Sequence, residues 1–326
     1  MSAARSTAGF YGLVESDLDE LRRRLRDVGR GAHPTFAAAA MHLFATPGKL
    51  LRPTLVFLSA RFGPAPGRMS LDLAESLELV HTASLVHDDI VDRAALRRNV
   101  ATVNAVWDDD VALIVGDYLF AKAYALAAVL PKPEVIAMVA QTVFALCDGE
   151  LAEVAAPDRM PNEVEYLERI ELKTASLYAA CCQGSAILAD AEPEHVAALG
   201  AYGTNLGLAF QITDDVLDLV GDEGDLGKEV GRDLAEGMPT LPMIYAVSEL
   251  DGEGSDLARR IVAHDKDVSE MRELLGLIRG SGGVGRARER ARGFHDAAVA
   301  ALERLPARPE REALREIADF VLTRER

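Results

Sequence analysis

The residues best suited to chemistry in this chain are two copies of one acidic pattern. The pentapeptides DDIVD at 88–92 and DDVLD at 214–218 both place aspartates at their first, second and last positions. In a helix, side chains four residues apart lie on one face, one turn from each other. Two such carboxylate pairs facing a cavity would bind hard divalent cations such as Mg²⁺, with substrate phosphates completing the coordination shell. The repeated pattern therefore predicts diphosphate chemistry.

The sequence around each copy argues against a solvated helix face, which is the more common meaning of a single acidic cluster. Both copies lie in stretches rich in leucine, valine and isoleucine, at 77–91 and 206–219. Carboxylates in such surroundings are costly unless they are paired or bind a metal ion. Two copies in this setting favour a functional role.

Basic and polar residues occur near both acidic patterns, although the chain as a whole is acidic. The formal net charge of -17 disfavours nucleic acid and anionic lipid as partners. Any one of these residues alone would be an ordinary surface or core residue, but together they are suited to binding diphosphate groups. The set is Lys49, Arg52, His81, Arg97, Arg98, Lys173, Thr174, Gln211 and Lys228. His87, next to the first pattern, is interpreted as structural.

The elements that must position these residues are predicted to be helices. Alanine and leucine dominate the apolar residues, which make up 49% of the chain, and apolar positions recur with helical spacing almost throughout. Segments 93–110 and 221–239, which follow the two acidic patterns, are predicted loops that could act as lids. The predicted helices span 14–29, 34–44, 49–62, 70–92, 111–130, 133–155, 163–190, 193–220, 240–249, 255–264, 267–281, 283–304 and 309–323.

The cysteine content and the apolar runs give expectations about the compartment. The three cysteines are Cys147, Cys181 and Cys182, which form no C-x-x-C motif and no even framework, so a reducing compartment is expected. We expect no membrane span, because no apolar run approaches about 20 residues. Residues 1–12 lack the features of a secretory signal. We therefore expect a cytoplasmic protein.

Seven segments, in order, resemble the trans-isoprenyl diphosphate synthases of the polyprenyl synthetase family. They are GKLLRP (48–53), ELVHTASLVHDDIVDRAALRR (78–98), VGDYLFAKA (115–123), KTASL (173–177), FQITDDVLDLVG (210–221), LGKEVGRDL (226–234) and TLP (240–242). The resemblance implies one polyprenyl synthetase domain over 1–326, with its core motifs at 45–245. It also implies an all-α, isoprenoid synthase-type bundle of about 12–13 helices around a deep central cavity, and a homodimer.

The resemblance also implies roles for the candidate residues. The metal ligands would be Asp88, Asp92 and Asp214, holding about three Mg²⁺ ions, with Asp218 in support. Isopentenyl diphosphate would be bound by Lys49, Arg52, His81 and Arg98. The diphosphate of an allylic prenyl substrate would be bound by Arg97, Lys173 and Lys228, with Thr174 and Gln211 lining the site. The full catalytic set would be Asp88, Asp89, Asp92, Arg97, Lys173, Asp214, Asp215 and Lys228.

The implied reaction is a Mg²⁺-dependent, head-to-tail condensation of isopentenyl diphosphate with an allylic prenyl diphosphate. Ala83 and Ser84 precede Asp88 by about one turn, where short-chain members of the family carry an aromatic residue. Two small residues predict a long product, about C30 to C40. The alternatives are a C20–C25 synthase, a class I terpene cyclase and a regulatory subunit of a heteromeric synthase.

Three positions depart from the family pattern. Asn99 stands where the family usually has glycine, Leu50 where a basic residue is frequent, and Met238 where lysine is usual. The last change removes a cation that would help to bind the allylic diphosphate.

Overall fold

The computed structural model describes residues 9–45, 48–64, 67–97, 99–155, 159–220, 233–234, 238–250, 252–262 and 268–324. Two predicted site residues, Arg98 and Lys228, lie outside these ranges, as does most of the predicted lid at 221–239.

The described chain is almost entirely helical, which confirms the all-α prediction. A short 3-10 helix (Gly9–Val14) precedes the first α-helix, and a two-stranded hairpin follows the fourth. The α-helices are α1 (Glu15–Arg26), α2 (Pro34–Phe44), α3 (Leu51–Ala60), α4 (Arg68–Val91), α5 (Val103–Val106), α6 (Asp109–Ala128), α7 (Pro133–Val154), α8 (Glu163–Ile170), α9 (Ser176–Leu188), α10 (Pro193–Val220), α11 (Leu241–Glu249), α12 (Gly252–Val262), α13 (Val268–Gly280), α14 (Gly283–Leu302) and α15 (Pro309–Thr323).

Two of these helices differ from the sequence prediction. Helix α5 lies inside the segment that was predicted to be a loop, and the predicted helix 163–190 is interrupted. The interruption is a π-helical turn at Glu171–Ala175, between α8 and α9. The expected start of α8 is confirmed, since Asn162 and Glu165 form a reciprocal capping box.

The segment after the first acidic pattern begins with a hairpin rather than an irregular loop. Strand β1 (Leu96–Arg97) pairs antiparallel with β2 (Val100–Ala101). Asn99 lies in the connecting turn with φ of +62°, a left-handed conformation that glycine adopts freely and that asparagine tolerates better than most residues. The replacement of the family's glycine by asparagine is therefore compatible with this turn.

The chain divides into two compact units. The first comprises Met1–Phe144, Leu177–Gly200 and Leu302–Glu316, and the second comprises Ala145–Ser176, Ala201–Ala301 and Ile317–Arg326. The prediction of one domain over 1–326 is not tested by this division.

The core of the first unit forms around α4. Apolar side chains at helical spacing, including Leu73, Leu77 and Val80, are completely or almost completely buried. Helix α6 packs closely against α4 at Gly116, where a Cβ atom would lie 2.2 Å from Nε2 of His87. This nitrogen is also 3.1 Å from the carbonyl oxygen of Leu113. These contacts between helices support the structural interpretation of His87.

The core of the second unit joins α8, the second half of α10 and the helices from α11 to α14. Its fully buried members include Ile212 on α10, Leu241 on α11, Leu274 on α13 and Ala287 on α14. The core thus contacts the α10 turn that carries the second acidic pattern, so the position of this pattern is fixed by the packing of several helices.

Helices α6 and α7 are long and apolar enough to cross a membrane by length and composition alone, which the sequence analysis did not anticipate. This is weak evidence, because core helices of globular proteins meet the same criterion. Both helices leave large apolar side chains exposed, among them Ile114 on α6 and Phe144 on α7.

Candidate active site

The first acidic pattern occupies the C-terminal turn of α4. The backbone N–H of Asp92 donates to the carbonyl oxygen of Asp88 at 2.8 Å, so the two carboxylates are one helical turn apart, as predicted. Asp88 is half-buried and Asp92 is exposed. The C-terminus of a helix carries partial negative charge, which disfavours carboxylates and favours cations. Two aspartates at this end therefore form a site suited to a metal ion.

The middle aspartate of this pattern has a different role from its neighbours. Asp89 is 5% exposed, and its Oδ1 accepts a hydrogen bond from Nε of Arg97 on β1 at 2.8 Å. The carbonyl oxygen of Asp89 also accepts from the backbone N–H of Ala94 at 2.9 Å. Asp89 thus anchors the hairpin and fixes Arg97, one of the predicted diphosphate ligands, next to the first acidic pattern.

The second acidic pattern lies in the last turns of α10, again at the negative end of a helix dipole. Asp214 is the most accessible of its aspartates, with a side chain that is 45% exposed. Its Oδ1 lies 2.7 Å from Nη2 of Arg324, a residue just beyond α15. Asp218 is buried, and its Oδ2 accepts from the backbone N–H of Asp233 at 3.1 Å.

A buried hydrogen-bond network fixes the middle aspartate of the second pattern. The hydroxyl of Tyr166 donates to Oδ2 of Asp215 at 2.5 Å, and the Gln211 amide donates to Oδ1 at 2.8 Å. The Gln211 amide oxygen in turn accepts from the hydroxyl of Thr174 at 2.8 Å. Burial raises the pKa of Asp215 to about 6, and the hydrogen bonds from Tyr166 and Gln211 act in the opposite direction.

The predicted pair Lys173 and Thr174 lies in the π-helical turn, an irregularity that often marks functional sites. Nζ of Lys173 is 2.7 Å from carboxylate oxygens of both Glu150 and Glu153 on α7. The two segments approach closely at Gly149, where a Cβ atom would lie 2.9 Å from the backbone nitrogen of Lys173. Lys173 is therefore held in place by two carboxylates.

The side chains of Arg52 and His81 are in contact. Nη1 of Arg52 lies 3.1 Å from Nε2 of His81. Because a guanidinium can only donate, this imidazole nitrogen accepts, and the proton of a neutral His81 is on Nδ1. The Arg52 guanidinium also stacks on the ring of Tyr178, 4.6 Å from its centroid.

The segment before Arg52 is strained. Leu50, the N-cap of α3, is buried and has a left-handed backbone with φ of +50°. Such a conformation is costly for leucine, and strain of this kind often occurs at functional sites. The carbonyl oxygen of Lys49 accepts from the Tyr11 hydroxyl at 2.8 Å, and that of Leu50 accepts from the Thr54 hydroxyl at 2.8 Å. These contacts fix the backbone that carries Lys49 and Arg52.

The two predicted chain-length residues have different environments. Ala83 is completely buried, whereas Ser84 is half-buried and donates to the carbonyl oxygen of His81 at 2.9 Å. At about 100° per residue, Ser84 lies about 40° from Asp88 around α4 and Ala83 about 140° away. Ser84 is therefore on the side of α4 that carries Asp88, and Ala83 is not.

Several contacts of the predicted residues involve side chains that the sequence analysis did not single out. They are Tyr166, Tyr178, Glu150, Glu153 and Arg324. The spacing of the two glutamates on α7 was a usable signal, since they lie three residues apart on one helix face. Tyr166 and Arg324 lie 49 and 110 residues from their aspartate partners, and no local pattern marks them.

The acidic residues fit Mg²⁺ by their chemistry. Carboxylate oxygens are the ligands that this ion prefers, and it is usually bound by one or two protein carboxylates together with substrate phosphates. Within the described ranges, no group of three or more histidine, cysteine, aspartate or glutamate residues could hold a metal ion. Two carboxylates per helix end, completed by a substrate, would meet the preference of Mg²⁺ without such a group.

A helical fold with paired aspartates and nearby cations defines the class of proteins that act on prenyl diphosphates. A family model described as polyprenyl synthetase matches residues 33–278. The chain belongs to this family and is a prenyltransferase.

Relatives and solved structures agree over nearly the whole chain. The heptaprenyl diphosphate synthase component 2 of Geobacillus stearothermophilus is 36% identical over 96% of this chain and 97% of the relative. The octaprenyl diphosphate synthase of Escherichia coli is 36% identical over 86% of this chain and 87% of the relative. The polyprenyl synthase of Caulobacter crescentus, solved with calcium and isoprenyl diphosphate, aligns with a TM-score of 0.92 at 33% identity, covering 99% of both chains. These neighbours confirm the isoprenoid synthase fold.

Proposed function

We propose that this protein condenses isopentenyl diphosphate with an allylic prenyl diphosphate, head to tail, in a Mg²⁺-dependent reaction. The observation that carries the proposal is the pair of acidic patterns, each at the C-terminal end of a long helix. A carboxylate pair at the negative end of a helix is unfavourable without a cation. Helices α4 and α10 each carry such a pair near their C-terminal end.

Asp88, Asp92 and Asp214, with Asp218 in support, would hold about three Mg²⁺ ions. Bound there, the ions would stabilise the negative charge that develops on the departing diphosphate. The solved relative from Caulobacter crescentus is complexed with calcium and isoprenyl diphosphate, which supports the use of a divalent ion.

Arg97, Lys173 and Lys228 would bind the allylic diphosphate, and Thr174 and Gln211 would line its site. Lys173 already has two carboxylate partners, so a bound diphosphate would share this lysine with Glu150 and Glu153. Arg97 is similarly fixed by Asp89. We expect both side chains to be positioned before the substrate arrives, which lowers the entropy lost on binding.

Lys49, Arg52, His81 and Arg98 would bind isopentenyl diphosphate. Arg52 and His81 already converge within 3.1 Å. This second cation set favours an enzyme with two diphosphate substrates over a class I terpene cyclase, which needs one.

Release of diphosphate from an allylic substrate without isopentenyl diphosphate would instead identify a cyclase. A regulatory subunit would release none under any condition.

A long product, about C30 to C40, is supported by the names of the relatives, which make heptaprenyl and octaprenyl diphosphate. Ser84, small and on the Asp88 side of α4, is compatible with passage of a growing chain. A C20–C25 product is the competing proposal. Mass analysis of products from isopentenyl diphosphate with each allylic primer distinguishes the two.

A cytoplasmic homodimer is the proposed state of the molecule. Helix α6 exposes Leu113, Ile114 and Tyr118 to between 37% and 63%. Exposed apolar side chains grouped on one element are typical of surfaces that another chain covers. We infer that a second copy of this chain covers α6.

The test of the proposed function is incorporation of isopentenyl diphosphate into a longer prenyl diphosphate, with and without EDTA. Product formation that stops when the divalent ion is removed is the expected result. Product formation at a normal rate in EDTA would contradict the metal assignment.

A further inference from the structure

A small pocket in the second unit lies beside the second acidic pattern and has no assigned role. Its volume is about 260 Å³, and it lies between α10, α14 and the segment that follows α15. Its apolar wall includes Val216, Leu217 and Leu322. Its polar groups include three arginines, Arg288, Arg292 and Arg324.

Three guanidinium groups around one pocket are unexpected in electrostatic terms. Arg288 and Arg292 lie one turn apart on α14, a spacing at which like charges repel. Neither forms an ion pair with any residue that the structure describes, although the chain has 52 acidic and only 35 basic residues. An anion between them would relieve this repulsion.

The third arginine has a buried nitrogen without a hydrogen-bond partner among the described residues. The Arg324 side chain is 10% exposed, and its guanidinium stacks on the ring of Phe210 at 3.7 Å. Nη2 forms an ion pair with Asp214, 2.7 Å from its Oδ1, and donates to the carbonyl oxygen of Phe210 at 2.9 Å. Nε is buried and has no hydrogen-bond partner among the described residues. A buried donor of this kind is rare unless a water molecule or a ligand satisfies it.

We propose that this pocket binds an oxyanion of the phosphate class. Arg288 and Arg292 would attract the anion, the Arg324 guanidinium would add a third positive charge, and a small shift of its side chain would let Nε donate to one of the anion's oxygens. The apolar wall would accept a short hydrocarbon substituent, so a prenyl monophosphate fits as well as inorganic phosphate does. Because Arg324 also contacts Asp214, occupancy of the pocket affects the second acidic pattern, and the effect is reciprocal.

The pocket can be observed by NMR titration of the full-length protein with labelled valine and leucine methyl groups. Inorganic phosphate is added in one series and dimethylallyl monophosphate in another, both in EDTA so that no metal site contributes. The methyl groups of Val216, Leu217 and Leu322 are expected to shift and to saturate. Saturation by either ligand supports the site. Comparison of the two dissociation constants then shows whether the pocket prefers free phosphate or a prenyl monophosphate. If neither ligand gives saturable shifts at these methyl groups, the proposal is wrong.

Variants separate this pocket from other cationic surfaces. The double variant Arg288→Ala/Arg292→Ala is expected to weaken binding by about tenfold or more, since charge-assisted hydrogen bonds are lost. Arg304→Ala, which removes an exposed arginine elsewhere, is the matched control and should leave the dissociation constant unchanged. If the alanine pair perturbs methyl groups throughout the protein, Arg288→Gln/Arg292→Gln replaces it. An unchanged dissociation constant in the folded double variant overturns the proposal.

The coupling to Asp214 has its own test. Asp214→Asn removes the nearest negative charge from Arg324, so phosphate is expected to bind several-fold more tightly in EDTA. An unchanged phosphate affinity would show that the pocket and Asp214 are independent. All readouts are metal-free binding measurements, so failure of the proposed synthase activity would not affect them.

Discussion

At the scale of single residues, five of the six aspartates in the two patterns divide into two groups, and the sixth, Asp218, is buried and accepts from the backbone N–H of Asp233. The outer aspartates of the first pattern, Asp88 and Asp92, and the first aspartate of the second, Asp214, are accessible or half-buried. The middle aspartates, Asp89 and Asp215, are almost fully buried and bind protein side chains. The accessible ones are suited to metal binding, and the middle ones to fixing the surrounding residues.

This division predicts different consequences for the outer and middle positions. Asp88→Ala and Asp214→Ala should each lower kcat by about 10²-fold or more, since each removes a ligand needed where charge develops in the transition state. Raising the Mg²⁺ concentration should recover only part of this loss. Steady-state kinetics over a range of Mg²⁺ concentrations is the measurement. Activity within a few-fold of wild type in either variant would contradict the metal assignment.

Tyr166 is expected to be a positioning residue that acts through Asp215. Burial raises the pKa of the Tyr166 hydroxyl well above its usual range, so this group remains a hydrogen-bond donor. Tyr166→Phe keeps the ring and leaves one carboxylate oxygen of Asp215 without its donor. We expect kcat to fall by about tenfold and the free energy of unfolding by about 1–3 kcal/mol.

Tyr245→Phe is the matched control for this variant. It removes a tyrosine hydroxyl that donates to Glu163 at 2.8 Å in the same unit. Thermal denaturation should show a loss of stability in both variants, while steady-state kinetics should change only for Tyr166→Phe. Equal effects on kcat in the two variants would show that Tyr166 has no specific role.

At the scale of elements, the helix ends and one irregular turn create the site. Helices α4 and α10 both terminate within a turn of their acidic pattern, so carboxylates accumulate at two negative helix ends. The π-helical turn between α8 and α9 shifts the helix register by one residue where Lys173 and Thr174 occur. A regular helix over 163–190 would direct these two side chains differently.

The position of Ser84 on α4 leads to a prediction about the length of the product. Ser84→Phe places an aromatic ring on the Asp88 side of α4, so the product should shorten to about C15 or C20. Ala83→Phe, at the other small position predicted to affect chain length, introduces a ring at a completely buried position, where overpacking costs about 1–3 kcal/mol. Mass analysis of the products and thermal denaturation compare the two variants. An unchanged product length for Ser84→Phe would exclude this face of α4 from the elongation path.

At the scale of the whole molecule, the exposed apolar face of α6 predicts an oligomer. Ile114→Glu places a charge on this face, so the homodimer should dissociate to monomers at micromolar concentration. Val164→Glu on α8 is the control, because both side chains are 63% exposed in the single chain. Light scattering coupled to size-exclusion chromatography measures the mass. A monomeric wild-type protein, or an Ile114→Glu variant that remains dimeric, would contradict the inference.

The sequence by itself determined the fold class and the chemistry. Helical periodicity predicted an all-α protein, and the structure places helices over nearly all of the predicted segments. The spacing of the acidic patterns predicted paired carboxylates one turn apart, because that relation depends only on helix geometry. The resemblance to the polyprenyl synthetase family is likewise carried by short segments of consecutive residues, and the family match confirms it.

Only the tertiary structure decided which side chains support these residues. Asp215 binds Tyr166, Asp214 binds Arg324, and Arg52 binds His81, pairs that lie between 29 and 110 residues apart in the chain. The partners in each pair come from different segments of the chain, and their residue types are common throughout the sequence. Their proximity depends on how several apolar helix faces pack together, and this packing brings together side chains whose spacing along the chain carries no signal of contact.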